Sequence, residues 1–562
     1  MSDRLRELRV LALDAQASGA TPAQGDLLEI GWGTCSAERL VAPAESRWLV
    51  PRSTRPVRRA VRELTGWSEA CLAQAVDENA AWKLLCDYAA AGFTRGESGG
   101  VPTVIHFARF ELGFLRDLHE RLGQGEPFPF DAVCLHAVVM RFLPDLPRRN
   151  IRALAGYFGH SPELLRRSPG HVEATAYIWK GVIPLLEAAG VQGWPELKQW
   201  LRDEKPAARS SRRSFPLAAE RRRSLPDSPG VYRFLRPNGE VVYVGKAVSL
   251  KRRVASHFKS RGPATERSLE LLSQVNAIEH TETASLLEAA LLETDEIKRL
   301  DPPYNVQLRV GERSAWFASR DLCRAAPAPD PLHRFGPLPS ERALASFPAL
   351  ARLLDGEPRT PALLAQVLAV PVPFLPDPAL FEQGFGLFVG EHFASGQAAT
   401  TLGRVSDASL ALYLARGRTE VESRTEGDAF EWDLARVRRR LERTLVQTGL
   451  LLRRARLLSL LADADVVFRE PAGVTARVLV ISGTEVTARA DLASLDALSS
   501  LPLRRAPSLE NRQRAFDAAA YDRMRVLLTE LRRVFDEGGG IALRVAGHLL
   551  TETALARVMR TI

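Results

Sequence analysis

The chain has 562 residues, 46% hydrophobic and 25% charged, enough for roughly three to five domains that each bury a core. Its formal charge of +9 is mild for this length and points to a polyanionic partner only where the excess is local. Five scattered cysteines (35, 71, 86, 134 and 323) exclude a disulfide framework or a zinc pattern, and no run of about 18 apolar residues offers a membrane span or signal core, so no membrane partner and a cytoplasmic location are expected.

Arginine carries almost all the basic charge. Lysine occurs only at 83, 180, 198, 205, 246, 251, 259 and 298, and half of these lie between 225 and 305. A GC-rich genome that drifts lysine to arginine is one reading of this bias. Where lysine persists, a compact ammonium can serve where a planar guanidinium cannot.

In residues 1–200, the apolar runs Arg9–Leu13 and Leu27–Trp32 flank Gly19, Pro22 and Gly25, the pattern of a β-hairpin. A third strand is expected at Arg47–Val50 and another at Val101–His106. Helical periodicity follows around 68–92, 110–122, 133–143, 150–158 and 171–188. This domain resembles the proofreading-exonuclease superfamily, of RNase H-like fold and DNA polymerase III epsilon type. The resemblance rests on Leu13-Asp14-Ala15-Gln16, Glu29-Ile30-Gly31, Leu64-Thr65-Gly66-Trp67, the run His106–Leu115, and His171 opening a late helix.

That family holds two Mg²⁺ ions with four carboxylates, whose charge offsets the repulsion of ions about 4 Å apart. Here Asp14 persists, but Gln16 replaces a glutamate, Glu111 an aspartate, and Ala176 stands where the last aspartate belongs. His171 would be the general base, with no complete metal site beside it. Glu173 lies on another helix face and cannot replace Ala176. Asp131 is a conceivable substitute ligand or an ordinary loop aspartate. The implied reading is a degenerate exonuclease fold kept for DNA binding or structure; the alternative is an active 3′→5′ exonuclease.

Residues 201–224 read as a basic linker, with Arg221-Arg222-Arg223 on a short helix near its end. In 225–310, Gly230–Phe234 and Val241–Gly245 form two β runs joined by Pro237-Asn238-Gly239, a strong hairpin signal. Ser249 is placed to cap a helix carrying Lys251, Arg252, Arg253 and His257. Residues 283–300 are helical, and Asp301-Pro302-Pro303 ends them.

Phosphodiester hydrolysis needs a positioned water, a base, and cations at the developing charge. One Mg²⁺ keeps most of its waters, so a single carboxylate can hold it. A tyrosine can serve as base beside a cation, and Lys246 follows Tyr243 by three residues; Arg253 can grip a phosphate in bidentate fashion. The stretch resembles the GIY-YIG nuclease domain, in the version of the excinuclease C subunit and its shorter homologue Cho, in its PGVY, YVGKA, LKRRV, LLE and PPYN segments. The resemblance implies Tyr243 as base, Lys246 as its modulator, Tyr232 positioning water or phosphate, and Arg253 stabilising charge. It further implies one Mg²⁺ (or Mn²⁺) on Glu293 and Asn305 holding the geometry. Lys251, Arg252 and His257 are candidate DNA contacts, His257 alternatively simple packing. Glu288 reads as solvated.

Residues 311–562 are expected to be mostly helical. Val306–Arg309 is a possible strand, and Arg334–Leu338 resembles the excinuclease C subunit and Cho. Residues 431–463 form a helical hairpin or one long helix with a basic outer face. Val478–Ile481 and Glu485–Ala488 can pair across Ser482-Gly483-Thr484, and Tyr521–Phe535 is an amphipathic helix ended by three glycines. No carboxylate constellation for a second nuclease stands out. The expectation is a multidomain α/β and α+β protein: a DNA endonuclease making a single nick beside lesions in nucleotide excision repair, with the UvrA–UvrB complex as partner. The rival class is a non-catalytic DNA-binding scaffold.

Overall fold

The computed structural model describes residues 4–556 except 94–98, 124, 162–164, 204–211, 260–262, 310–314, 321, 393–430, 472, 505–506 and 552. Chain packing forms two units: Met1–Glu282 with Pro302–Tyr304, and Thr283–Asp301 with Asn305–Ile562.

The first unit opens with a five-stranded sheet of β1 (Val10–Ala17), β2 (Leu27–Cys35), β3 (Glu45–Trp48), β4 (Val101–Ile105) and β5 (Phe130–Cys134), in the order β3-β2-β1-β4-β5. β1 runs antiparallel to β2 and parallel to β4, which is parallel to β5. That order and these directions are the RNase H-like sheet topology that the sequence predicts. β1 is central, and strand alternation splits its side chains between two cores. Val10 and Ala12 pack with the helix Ser168–Ala188, while Leu11, Leu13 and Ala15 pack with residues of Glu78–Gly92 and Ala108–Leu122. Asp14 and Gln16 have the parity of Val10 and Ala12. β5 was hidden in the sequence because its apolar residues run on into the helix Leu135–Phe142.

The second sheet of this unit is β7-β6-β8, with β6 (Gly230–Leu235) antiparallel to both β7 (Val241–Ala247) and β8 (Ala277–Glu282). The β6–β7 turn closes through Gly239 N–H donating to the Arg236 carbonyl, with Gly239 at φ 87°. Ser249 caps the helix Leu250–His257 by accepting from the Arg252 N–H. The linker is shorter than its composition suggests. Its residues 204–211 lie outside the described ones, but Leu217 is buried in the core around Tyr232 and Phe234, with Phe215 packed against it. A polar seam joins the two sheets' surroundings: the Asn150 amide donates to Glu270 at 2.6 Å, the Arg148 N–H to Ser273 at 2.8 Å, and Asn238 to Ser161 at 2.6 Å.

The second unit holds the helix Leu286–Leu300, capped by Ser285 and ended by Asp301 in the left-handed region. It also holds the single long helix Leu434–Leu461 and the helix Ala518–Asp536. To these helices it adds two sheets. One is β10-β9-β11, from β9 (Trp316–Ser319), β10 (Ala325–Ala326) and β11 (His333–Leu338). The other is β14-β13-β12-β15-β16, from β12 (Ala464–Arg469), β13 (Ala476–Ser482), β14 (Glu485–Leu492), β15 (Gly540–Val545) and β16 (His548–Leu549). The expected hairpin is β13–β14, with Ser482 opposite Glu485. Val306–Arg309 is not a strand; Leu308 there has φ 66°. Among the described residues, no helix is long and apolar enough to cross a membrane.

Candidate functional site

On the small sheet, Tyr232 of β6 lies opposite Gly245 of β7, and Phe234 opposite Tyr243. All four have the same parity, so the rings gather on one face. A Cβ at position 245 would stand 2.6 Å from the Tyr232 hydroxyl, so only glycine lets that ring lie across β7. Tyr232 is fully buried. The Tyr243 ring is 6.0 Å from those of both Tyr232 and His257, and stacks on Phe234 at 5.8 Å.

The Tyr232 hydroxyl is 2.7 Å from His257 Nε2. Burial, and then the neighbouring Arg253 charge, pull the His257 pKa down to about 4, so its imidazole is neutral at pH 7. Burial, and then Tyr243, push the Tyr232 phenol up. Both groups are therefore uncharged. Arg253 has no acceptor and donates to the Tyr232 and Tyr243 hydroxyls, while the Tyr232 hydroxyl and His257 Nε2 share a hydrogen bond. Charge coupling to Tyr232 raises the Arg253 pKa.

Two sequence expectations change here. The cation bonded to both tyrosines is Arg253. Lys246 pairs with Val231, and alternation along β7 directs its Cα–Cβ bond to the face opposite Tyr243. Three residues apart means adjacency on a helix but opposite faces on a strand. His257, read as a DNA contact or as packing, joins the tyrosine cluster. Lys251 and Arg252 are exposed, Arg252 facing Asp227 at 3.3 Å.

Tyr304 fixes the chain after the two prolines. Its N–H donates to the Val242 carbonyl, its hydroxyl donates to Glu270 at 2.7 Å, and it accepts from Gln274 at 2.6 Å. Asn305, the next residue, is buried.

In the second unit, Glu293 is half-buried on Leu286–Leu300. A single carboxylate can hold a magnesium ion that keeps most of its waters, so the residue type fits the expected ligand. Glu288 on the same helix is not solvated. It is 6% exposed and ion-paired to Arg477 of β13 at 2.9 Å, because the C-terminal sheet covers that face. Asp295 likewise pairs with Arg523 and Lys298 with Asp522.

Asp14, Gln16, Glu111 and His171 of the exonuclease-like set line a cavity of about 480 Å³, and several of them are engaged with one another. Ser168 Oγ donates to one Asp14 oxygen at 2.7 Å, and His171 Nδ1 is 3.0 Å from the other. Burial lowers the His171 pKa, but Asp14 outweighs it and the net shift is upward. Gln16 donates to the Arg166 carbonyl. Burial, and then the Asp14 charge, push the Glu111 carboxyl far up. Ala176 is packed in the apolar core with Val172 and Trp179. Asp131 is held by Trp194 at 3.0 Å and Lys198 at 2.6 Å, as a structural residue. Glu29, which sequence reasoning used only as a motif marker, is fully buried and accepts from Arg167, Ser46 and the Ser168 N–H. A two-metal centre does not fit this set: one carboxylate is engaged, one is driven toward its protonated form, and two positions carry none.

Residues 228–306 match the family described as the UvrC-like GIY-YIG domain. A Mycobacterium tuberculosis protein named "Putative bifunctional exonuclease/endonuclease protein" is 32% identical over 226 residues, covering 40% of this chain and 34% of that protein. The UvrABC system protein C of Methylococcus capsulatus is 51% identical over 86 residues, 15% of this chain and 14% of its own length. The magnesium-bound GIY-YIG N-terminal endonuclease domain of UvrC from Thermotoga maritima is 32% identical, with 16% of this chain and 93% of that one covered and a TM-score of 0.14. The chain thus carries a UvrC-like GIY-YIG domain behind an exonuclease-like fold, and spans about a third or less of the lengths of the two full-length relatives.

Proposed function

We propose that this protein is a Mg²⁺-dependent DNA endonuclease of the GIY-YIG type that makes a single nick beside lesions in nucleotide excision repair, on DNA presented by UvrA–UvrB. The observation that carries the reading is the Arg253–Tyr232–His257 network, with Tyr243 beside it, on the sheet of the family-matched segment. In hydrolysis, water attacks phosphorus, loses a proton to a base, and the P–O3′ bond breaks with a proton passing to the leaving oxygen. Arg253, donating to both hydroxyls, favours negative charge on the Tyr243 oxygen and supports its role as base. Tyr232, bonded to Arg253 and 2.7 Å from the neutral His257 imidazole, is held in place to position water or phosphate. Glu293 is the residue that would hold magnesium, which supplies charge stabilisation at phosphate oxygens. Asn305, on the turn locked by Tyr304, orients the loop. Lys251 and Arg252 serve as backbone contacts to DNA.

The exonuclease-like fold serves as a non-catalytic part of the protein, since its own residues satisfy Asp14. The name of the mycobacterial relative favours a bifunctional reading. The two are separated by single-stranded DNA labelled at its 5′ end, which should not be shortened from the 3′ end. The main reading is tested by incubating lesion-bearing duplex with UvrA, UvrB and Mg²⁺. A single nick beside the lesion supports it, and intact DNA contradicts it.

A further inference from the structure

Just before the nuclease sheet, the chain folds a groove of about 540 Å³ against the helix Leu250–His257. Its walls include Arg213, Phe215, Arg222, Arg223, Lys251 and Phe258, and no carboxylate is among the residues lining it. Arg222 is packed between rings, its guanidinium carbon 4.8 Å from the Phe258 centroid and 5.8 Å from that of Phe215. Its Nε is buried without a hydrogen-bond partner among the described residues. Arg223 is exposed, with Glu220 at 3.9 Å as a loose neighbour. Concentrating this charge without carboxylates in the walls costs folding energy, which a bound anion would offset.

The helix itself relates the groove to the tyrosines. Lys251, Ala255 and Phe258 recur at helical spacing and line the groove. Arg253 and His257, four apart, form a neighbouring stripe that bonds Tyr232. A helix is only about 10 Å across, so a chain in the groove can continue onto the tyrosine face within a few nucleotides.

We infer that this groove, built by residues 213–223 with Lys251 and Phe258, binds the phosphodiester backbone of the DNA strand that feeds the nuclease face. The inference rests on DNA being the substrate but not on cleavage. Arg222 stacked on aromatic rings, with Arg213, Arg223 and Lys251 also in the walls, suits phosphates read without regard to base sequence.

The test uses the full chain carrying Glu293→Ala, in EDTA, so that binding is read without chemistry. Affinity for a fluorescein-labelled duplex of random sequence is measured against salt concentration. Arg222→Gln with Arg223→Gln should weaken binding equally for unrelated sequences and make the log–log salt slope shallower by about 2, one per lost phosphate contact. Arg223→Gln alone, on an exposed side chain outside the core, should lower the slope by about 1 and guards against a folding defect. Arg222→Lys should keep most of the slope. Unchanged affinity and slope in the double variant would overturn the assignment. So would unchanged DNA binding with lost binding of poly-glutamate, which would make the groove an acidic-peptide site. Failure of the nicking assay with this slope change intact would remove the nuclease reading and leave the groove standing.

Discussion

The Tyr232 hydroxyl, buried beneath the small sheet, lies 2.7 Å from Nε2 of a neutral His257. With the folded pKa of His257 depressed to about 4 from its ordinary 6.5, the unfolded chain binds more protons between those values. The stability this site contributes is therefore present above pH 6.5 and is lost as pH falls toward 4. Single-turnover nicking should show an acid limb near pH 4. His257→Gln should remove that limb and slow the reaction by roughly 10²-fold, the lower end of general acid–base contributions. A limb that persists in His257→Gln would assign it to another group.

Gly245 is a second, independent handle on the same hydroxyl. A methyl there would stand 2.6 Å from it and 2.7 Å from the ring carbon bearing it. Gly245→Ala should destabilise the protein by about 1–3 kcal/mol through overpacking, and reduce nicking more than thermal melting alone explains. An unchanged melting temperature with full activity would show that the tyrosine ring has another position open to it.

Asp14 of the exonuclease-like fold is predicted to matter for stability and not for nicking. Its two oxygens serve Ser168 and His171 in a buried setting, and losing the hydrogen bonds of such a carboxylate costs about 1–3 kcal/mol. Asp14→Ala should melt earlier. Neither variant nor wild type should shorten 5′-labelled single-stranded DNA. Shortening by the wild type that Asp14→Ala abolishes would make the fold an active exonuclease.

In the second unit, Arg477→Met leaves the buried Glu288 carboxylate with only Arg489 at 3.9 Å and Ser285 at 3.4 Å, and should cost about 1–3 kcal/mol, read by denaturant unfolding. Arg477→Met with Glu288→Leu should recover much of that loss. Equal losses in the single and double variants would show that the pair is not coupled.

The sequence made local structure legible where one residue type has one use. Asn238-Gly239 marked the β6–β7 turn, Ser249 marked a helix start, and the glycines after Phe535 marked a helix end. The tyrosines and Arg253 were visible because their spacing survives in one continuous segment. Glu288 was misread because a helix sequence shows its own periodicity but not the strand that covers it. Lys246 was linked to Tyr243 by proximity in sequence, whereas strand parity separates them. Leu217 and Phe215 were hidden inside an arginine-rich stretch whose composition resembles a linker. His257 could have been found from its spacing, one turn after Arg253 on the helix face that meets β6.

The central claim is that the segment from Tyr232 to Asn305 cuts DNA with one magnesium ion held by Glu293. The most direct measurement compares wild type with Glu293→Ala on lesion-bearing duplex, with UvrA, UvrB and Mg²⁺, scoring nicked strand on a denaturing gel. The account predicts a single nick with wild type and none with Glu293→Ala, whose folding should be unchanged because the side chain is only half-buried. Equal nicking by both proteins would contradict it.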